Sequence, residues 1–343
     1  MNQEQFSPGL FPELPVPQPK ITVKKRMVRA PSPTAATSGV SAAPDPEAMA
    51  KLLELHADFR VHRRLQPCLL WPGASATSVT RVVVLDTETT GLDASREAII
   101  ELALLRVDVD SGSGLPVGDV RVFDQLEDPG KPIPPEVVAL TGITDAQVHG
   151  QRLDETGVLD MMKDVDVVIA HNAAFDRPFV EARFPFFAKL RWACSFADID
   201  WKAQGRSSSK LESLAQAMGL FYDAHRAEMD CHALLAVLAA PLPMGGETAL
   251  ARLIHSASSP SFRLSATNAP FESKDRLKAR AYRWNGDQRV WQTRLSDQSA
   301  LEAESAWLKE VVYNGRSAVI QVEKLDARTK YSTRPGDVSH RQL

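Results

Sequence analysis

A series of short apolar segments beginning at Arg81 constrains the fold of this chain more than any other feature. The segments are RVVVLD, AIIELALLRVDV, VRVFDQL and DVVIA, and helical stretches follow them to about Leu238. Three strands without intervening helices, followed by strand and helix in alternation, are typical of a mixed sheet with helices packed against it. The sequence therefore predicts an α/β domain over residues 81–240.

The residues before this domain have a different composition. Residues 1–45 are rich in Pro, Ser and Ala without an apolar period, so we expect a disordered tail. Residues 46–80 are predicted to form an amphipathic helix, ending at about Leu65, and a linker, because apolar side chains from Met49 onward recur at helical spacing behind a capping Asp45.

The residues after the domain predict a second, smaller one. Pro, Gly and Ser residues in 241–261 indicate a linker, and 262–335 indicate a small basic α+β module that precedes a disordered end, 336–343. Within the module we expect a helix in ESKDRLKARA, a hairpin at Asn285-Gly286, a second helix and a last strand in SAVIQVEKL.

Composition excludes several classes of protein. The chain has 343 residues and three cysteines, an odd number that cannot build a disulfide framework. No stretch approaches the roughly 18 apolar residues of a membrane span, and the N-terminus lacks the pattern of a signal peptide. We therefore expect a soluble, cytoplasmic protein with no membrane partner.

Two acids follow the first apolar segment, in DTETTG. Asp86 and Glu88 lie two residues apart, so in a strand both side chains project from one face and lie close enough to hold a cation together. Two like charges so placed repel each other unless a metal neutralises them. The alternative is a pair of solvated carboxylates at a strand end.

Two further polar motifs occupy the ends of later elements. HNAAFD follows the apolar segment VVIA, where ligand sites of open α/β sheets lie, so Asp176 is placed to face Asp86 and Glu88. The alternative is helix capping by Asn172 or Asp176. HRAEMD precedes an apolar helix and puts Asp230 in its first turn and His225 just before it, a pattern that also suits a surface histidine and a dipole-stabilising acid.

LDTETTGL, HNAAFD and HRAEMD, in this order, resemble the three motifs of the DEDDh 3′–5′ exonucleases, the family of the epsilon proofreading subunit of bacterial DNA polymerase III. The segments IIELALLRV, PIPPEVVALTGIT and SSSKLESLAQAMGL extend the resemblance over roughly residues 80–240. The resemblance implies an RNase H-like fold, with a mixed five-stranded sheet flanked by helices, and two Mg²⁺ or Mn²⁺ ions. It also implies the catalytic residues, with four metal ligands and a general base: Asp86, Glu88, Asp176 and Asp230 as ligands, and His225 as the base.

The residue types agree with that implication. Four carboxylates and no cysteine suit hard cations, and a pair of ions about 4 Å apart can activate a water and stabilise the leaving oxygen of a phosphodiester. Neutral histidine can take the proton of the attacking water at physiological pH.

The resemblance further implies a pocket for the terminal nucleotide beside the first acids. By position it is lined by Thr89, Thr90 and Leu92, with Asn172 and Phe175 added. For Phe175, packing in the core is an equal alternative. His171 is interpreted as structural, and Glu101 as either a residue that supports the site or an edge residue.

The C-terminal module combines aromatic and basic residues. Three tryptophans suit stacking on unpaired bases while the interleaved cations meet phosphates, or else the tryptophans form the core of a small domain. The residues are Trp284, Trp291 and Trp307, with Arg276, Lys278, Arg280, Arg283, Arg289 and Arg294.

The sequence therefore predicts a metal-dependent 3′–5′ exonuclease that releases nucleoside 5′-monophosphates from DNA, single strands being favoured, in DNA repair or replication. A 3′–5′ exoribonuclease acting on RNA and an inactive interaction scaffold are the alternatives. No polymerase segment is present, so proofreading would need a polymerase partner, and residues 5–11 faintly resemble ligands of the bacterial sliding clamp.

Overall fold

The computed structural model describes residues 45–73 and 78–343. Except for Asp45, the predicted tail and the clamp-like segment at residues 5–11 lie outside this range. Residues 52–343 form one compact unit. Helix α1, Pro46–Glu54, has no buried residue. Within the described residues, no helix has both the length and the apolar character that a membrane span requires.

The helix predicted to reach Leu65 ends earlier, at Glu54. The reason is that the chain becomes extended at β1, Arg63–Arg64, which pairs in parallel with Leu220 and Phe221. A second short strand, β2, Leu70–Trp71, pairs antiparallel with residues 118 and 119.

The predicted α/β domain is confirmed as a mixed sheet flanked by helices. Its strands have the spatial order β2-β5-β4-β3-β6-β7. The sheet has six strands instead of the predicted five, because the short strand β2 pairs at its edge. A strand of two residues gives no sequence pattern from which it could be predicted. The elements are β3 Val79–Thr89, β4 Ile99–Asp110, β5 Pro116–Leu126, α2 Pro135–Thr141, α3 Asp145–Val148, α4 Glu155–Met161, β6 Val167–Ala170, α5 Ala173–Arg183, a 3₁₀ turn Pro185–Lys189, β7 Trp192–Cys194, α6 Leu211–Gln216, β8 Leu220–Phe221 and α7 Ala227–Ala239.

Side-chain alternation along β3 assigns its residues to two cores. Val82 and Val84 pack on one face, in a cluster with Leu234 and Leu238 of α7. Val83 and Leu85 pack on the other face, in a cluster that includes Phe179 of α5. Because β3 is buried on both faces, it reads as a continuous apolar run. One face of β3 is therefore directed toward α7 and the other toward α5.

The end of β3 coincides with the end of its parallel neighbour. β3 is antiparallel to β4 and parallel to β6, with Leu85 opposite Ala170. The residues that follow both strands therefore emerge at one edge of the sheet. The register between β3 and β4 shifts at Glu88 and Thr89, a bulge of the kind that re-aims side chains near functional sites.

The remaining elements form a second sheet with the order β10-β11-β9-β12-β13. A core of Leu264, Leu277, Leu301 and Ile320 fills the space between this sheet and its helices. The elements are α8 Ala249–Ser256, β9 Ser261–Ala266, a 3₁₀ turn Phe271–Ser273, α9 Lys274–Ala279, β10 Arg283–Asn285, β11 Val290–Leu295, α10 Gln298–Trp307 continued by a π turn Leu308–Val312, β12 Val319–Leu325 and β13 Asp337–Gln342.

Three expectations for this half of the chain need correction. The linker at 241–261 contains helix α8, whose Leu250 and Leu253 are buried in the α7 cluster. The end at 336–343, predicted to be disordered, is strand β13, which pairs along β12. The first strand, β9, was missed because it directly follows Ser258, Ser259 and Pro260 and begins with another serine, a composition that resembles a linker.

Residues 326–334, here called the strap, join β12 to β13 and pack on the α/β domain. The carbonyl of Ala327 accepts a hydrogen bond from the backbone N–H of Trp192, 2.9 Å away, at the edge of β7. Tyr331 is buried in the α5 cluster, and its hydroxyl donates to Asp198. The buried guanidinium of Arg177 on α5 donates to the carbonyls of Arg328 and Lys330. The α/β domain and the C-terminal sheet therefore share a packed boundary.

Candidate functional site

A cavity of about 550 Å³ opens at the sheet edge where β3 and β6 end. α2, α5 and the start of α7 provide its other walls. The lining residues are Asp86, Thr87, Glu88, Thr89, Gly91, Leu92, Val137, Leu140, Thr141, His171, Asn172, Phe175, Asp176, Phe196, Lys210, Leu211, Glu212, Tyr222, Ala224, His225 and Asp230. All three polar motifs of the sequence therefore meet in one place.

Three carboxylates form the centre of the cavity. Asp86 and Glu88 continue the face of β3 that Val82 and Val84 turn toward α7, and Asp230 lies in the first turn of that helix. One oxygen from each of the three lies within 4.8 Å of the others. The i and i+2 acids of β3 thus lie close together, and α7 supplies a third carboxylate.

Asp176 approaches the same cavity from the other face of β3. Thr87 projects toward α5, and its hydroxyl donates to Oδ1 of Asp176 at 2.9 Å. Asp176 is only 2% exposed. Asn172, at the N-terminus of α5, has a left-handed backbone with φ 71° and makes no capping hydrogen bond through its side chain. The structure therefore does not support the capping alternative for Asn172 or Asp176.

The carboxylates raise one another's pKa. Burial raises the pKa of Asp86 well above its usual value, and repulsion from Asp176 and Asp230 adds to this. Burial and the same kind of repulsion raise the pKa of Glu88 to about 8. For Asp176, burial raises the pKa to about 7 against the opposing hydrogen bond from Thr87. A site with this much buried negative potential is suited to bind cations.

Three hydrogen-bond donors hold the carboxylate of Asp230. Tyr222 donates its hydroxyl to Oδ1 at 2.8 Å, and the backbone N–H groups of His225 and Arg226 donate to Oδ2 at 2.8 and 3.1 Å. Burial still raises the pKa of Asp230, while these hydrogen bonds oppose the shift. Asp230 thus orients the segment before α7 as well as facing the cavity.

His225 lies on that segment with its side chain exposed at the rim of the cavity. Its backbone is left-handed, with φ 65°, a conformation that histidine adopts more readily than most residues. Its backbone N–H donates to Asp230, and within the described residues its imidazole makes no hydrogen bond. The imidazole is therefore free to approach a molecule in the cavity.

Glu101 has a structural role that the sequence left undecided. It is fully buried on β4, opposite Glu88 in the β3–β4 register. Its carboxylate accepts hydrogen bonds from Arg226, at 2.8 Å from the nearer terminal nitrogen, and from the backbone N–H of Ala227 at 2.8 Å. Glu101 therefore anchors the first residues of α7 and, with them, the segment that carries His225.

Four of the five residues predicted to form the nucleotide pocket line the cavity. Thr89, Leu92, Asn172 and Phe175 line the cavity, and Leu92 is 86% exposed there. Thr90 does not line it, because its side chain is buried and its hydroxyl donates to Glu97. Thr90 shapes the loop instead of facing the cavity.

Sequence reasoning missed several residues of the cavity wall. Leu140 of α2 and Lys210 before α6 lie in PIPPEVVALTGIT and SSSKLESLAQAMGL, which carried the resemblance without individual roles. Phe196 and His171 pack edge to face, and Nδ1 of His171 lies 2.7 Å from the Ser195 hydroxyl. Burial lowers the pKa of His171 to about 4, so it is neutral at pH 7. No periodic or motif signal singles out Phe196 or Tyr222.

The donor set fits divalent cations that prefer oxygen ligands. Asp86, Glu88 and Asp230 offer oxygens in mutual reach, and Asp176 faces the same cavity. The nearest cysteine, Cys231, is buried with its sulfur directed at backbone carbonyls of β3 and β4. Such a set suits Mg²⁺ or Mn²⁺ and not a structural zinc site.

Parts of the chain are similar to known proteins. Residues 83–238 match the protein family described as Exonuclease (RNase T). The chain is 35% identical over 155 residues to the DNA polymerase III subunit epsilon of Treponema pallidum (strain Nichols), which covers 42% of this chain and 68% of that protein.

Two other proteins are also similar to part of the chain. Over 108 residues the chain is 34% identical to the PolC-type DNA polymerase III of Bacillus subtilis (strain 168), and it spans only 7% of that protein's length. A solved structure, Exonuclease X in complex with 5′ overhanging duplex DNA, has 23% sequence identity and a TM-score of 0.36, and covers 50% of this chain and 99% of that one.

Proposed function

Because the chain belongs to the exonuclease family, we propose that it is a metal-dependent 3′–5′ exonuclease that hydrolyses the terminal phosphodiester bond of DNA. The product would be a nucleoside 5′-monophosphate. The observation that carries the proposal is the convergence of Asp86, Glu88, Asp176 and Asp230, from three separate elements, on one cavity beside His225.

The four carboxylates would hold two Mg²⁺ or Mn²⁺ ions. Bound there, divalent ions supply activation of the attacking water and neutralisation of the charge that develops on the leaving oxygen. The protein contributes a rigid frame, since Asp86 and Glu88 are on a strand buried in the core and Asp176 and Asp230 are in the first turns of helices.

His225 would act as the general base. Its imidazole is exposed at the cavity rim, and a ring nitrogen would accept the proton of the attacking water. Asp230 and Glu101 hold the backbone from His225 to Ala227, because they accept hydrogen bonds from the N–H groups of His225, Arg226 and Ala227. The base is thus placed by hydrogen bonds that do not use its own side chain.

The apolar wall would receive the terminal nucleotide. Leu92 is 86% exposed and Leu140 55% exposed, both at the cavity, and Phe175 and Phe196 add aromatic surface. Exposed apolar side chains of this kind are typical of ligand-binding surfaces. Lys210 is placed to meet a phosphate, as the one lysine or arginine among the described residues that line this cavity.

DNA is proposed over RNA because the relatives are named as DNA polymerase III polypeptides. The same names support a place in DNA replication or repair, with a polymerase as a partner in proofreading. The catalytic residues themselves do not discriminate the two nucleic acids, since recognition of the 2′-hydroxyl depends on pocket contacts.

The test compares single-stranded DNA, duplex DNA and RNA, each labelled at the 3′ or the 5′ end, in the presence of Mg²⁺. We expect early release of the 3′ label as a mononucleotide and stepwise shortening of the 5′-labelled strand. Asp86→Asn should abolish both, whereas Asp119→Asn, an exposed acid on β5, should not. Internal cleavage, or full activity of Asp86→Asn, would contradict the proposal, and faster RNA degradation would favour the exoribonuclease.

A further inference from the structure

The C-terminal sheet carries a second cavity, of about 340 Å³. It lies where the loop after α9 meets the hairpin β10–β11. We call it the tryptophan pocket, and its lining residues are Lys278, Ala281, Tyr282, Arg283, Trp284 and Trp291. None of them belongs to the cavity that holds the carboxylates.

Trp284 is the unusual residue of this pocket. It lies opposite Trp291 in the hairpin register, and the two rings meet edge to face with centroids 5.5 Å apart. Trp291 and Trp307 pack against the core of the C-terminal sheet, whereas Trp284 does not and is 52% exposed. The core of this domain therefore does not account for Trp284, although it does account for the other two tryptophans.

The structure also divides the six interleaved cations into two groups. Arg280 is paired with Glu304 and lies over the Trp307 ring, Arg276 donates to a backbone carbonyl, and Arg294 lies over Tyr331. These three are engaged in internal contacts. Lys278, Arg283 and Arg289 are exposed, and no ion pair engages them in the described part of the chain.

Two of the free cations line the pocket. Lys278 and Arg283 are at its wall, while Arg289 and the exposed Asp287 are on the hairpin turn beyond it. Ala281, between α9 and the hairpin, has a left-handed backbone with φ 62°, which is costly for a residue other than glycine. This conformation turns the chain directly from α9 into Tyr282 and the pocket wall.

We propose that the tryptophan pocket binds single-stranded nucleic acid, with an unpaired base stacked on Trp284 and neighbouring phosphates held by Lys278 and Arg283. An exposed aromatic face between free cations has the chemistry of such sites, because every base offers a π-face and every nucleotide a negative charge. The inference rests on the proposed function only in taking nucleic acid as the substrate, and it adds a site outside the active site.

The experiment uses the full chain, a fluorescein-labelled oligothymidylate and EDTA, so that binding is measured by anisotropy without hydrolysis. Trp284→Ala should weaken binding about 5-fold or more, the loss expected for one stacked base. Trp284→Phe should retain most of the affinity, because phenylalanine keeps a stacking face. Phe271→Ala, which removes a 75% exposed aromatic elsewhere in the same domain, should bind as the wild type does.

The salt dependence tests the phosphate contacts separately. The variant with both Lys278→Ala and Arg283→Ala should bind with a slope of log affinity against log salt that is shallower by about 1.4, since each lost phosphate contact on a single strand removes about 0.7. Lys309→Ala, which removes an exposed lysine of the same domain, should leave the slope unchanged.

Equal affinities and slopes for the pocket variants and the wild type would overturn the inference and favour a protein partner for Trp284. Equal losses in the Phe271 and Lys309 controls would overturn it as well, because they would indicate non-specific attraction. Hydrolysis of a short oligonucleotide with Mg²⁺ is measured in parallel. Failure of that reaction alone would contradict the proposed exonuclease activity and leave the pocket standing.

Discussion

At the scale of single residues, the carboxylates of the active site destabilise the fold. Asp86, Glu88, Asp176 and Asp230 are held near one another in a buried environment, where like charges repel strongly. The carboxylate of Glu101, in contrast, accepts hydrogen bonds from Arg226 and from the backbone N–H of Ala227. Most of the unfavourable charge thus lies on the groups that a cation would neutralise, and burial also raises the pKa of Asp124 on β5 to about 6.

This arrangement predicts a fall in stability as pH rises in the absence of metal. The pKa of Glu88 is raised to about 8 and that of Asp176 to about 7, so the folded state binds more protons than the unfolded state between pH 4 and 8. Stability is therefore lost as the pH rises through this window. We expect the melting temperature in EDTA to drop by roughly 2–6 °C between pH 6 and pH 8.5.

Two controls make that prediction specific. Mg²⁺ should reverse the drop, because it binds the ionised carboxylates of the folded state. Asp86→Asn should raise the melting temperature in EDTA and flatten its pH dependence, while Asp119→Asn should do neither. A melting temperature that rises with pH in EDTA would show that the carboxylates do not repel one another in this way. Melting is followed by circular dichroism at each pH.

His225 gives a second prediction at this scale. His225→Asn should lower turnover by about 100-fold or more, the usual contribution of a general base. Asparagine tolerates the left-handed backbone of this position, so the hydrogen bond from the backbone to Asp230 is kept. His225→Ala should have a similar effect on turnover, and neither change should shift the Mn²⁺ concentration that gives half-maximal activity.

The matched control is His255→Ala, which removes an exposed histidine on α8. Its single-turnover rate should equal that of the wild type. An unchanged rate for the His225 variants at saturating Mn²⁺ would remove this residue from the mechanism, whereas a parallel loss of metal affinity would indicate a role in building the site.

At the scale of elements, the strap links the C-terminal sheet to the helix that carries Asp176. Arg177, the next residue of α5, is fully buried and donates to two strap carbonyls. Lys330, also buried, donates to the carbonyl of Ser256 on α8 at 2.9 Å. The strap thus supplies two of the acceptors of a buried charged group, and a change that separates the strap from α5 removes these hydrogen bonds.

We therefore predict that Tyr331→Ala destabilises the α/β domain and lowers exonuclease activity, although Tyr331 is outside the cavity. Truncation of a buried aromatic costs about 3–5 kcal/mol. Tyr331→Phe, which keeps the ring and loses only the hydrogen bond to Asp198, should cost about 1 kcal/mol. Urea unfolding and the turnover number measure the two effects, and wild-type values for Tyr331→Ala would show that the strap is dispensable.

The sequence predicted this architecture where the local pattern and the tertiary structure agree. Val82–Leu85 are apolar on both faces and end in acids, so both the strand and the cluster of acids at its end could be predicted. β13 was missed because DVSHRQ has no apolar face; it is a strand only because β12 offers it an edge. Glu101 could not be assigned because its partners, Arg226 and Ala227, lie 125 and 126 residues away.

At the scale of the whole molecule, opposite charges are concentrated in different parts of the chain. Residues 81–259 hold 16 Lys+Arg and 27 Asp+Glu, a net charge of −11, whereas residues 260–343 hold 15 and 10, a net of +5. The near-neutral total of −3 hides this division. Since nucleic acid is a polyanion, the net charge of the basic part attracts it, whereas that of the acidic part repels it unless cations are bound there.

This division of charge predicts that the effect of salt on kcat/KM depends on the length of the substrate. A long single strand can engage the tryptophan pocket as well as the active site, whereas an oligonucleotide of a few residues engages the active site alone. At low salt, the variant with both Lys278→Ala and Arg283→Ala should therefore lose about 3- to 10-fold in kcat/KM on the long strand and almost nothing on the short one. At high salt the two enzymes should converge, because the phosphate contacts are screened. Steady-state rates on long and short oligothymidylates check this, and an equal loss on both would place the two cations in the active site's own substrate path.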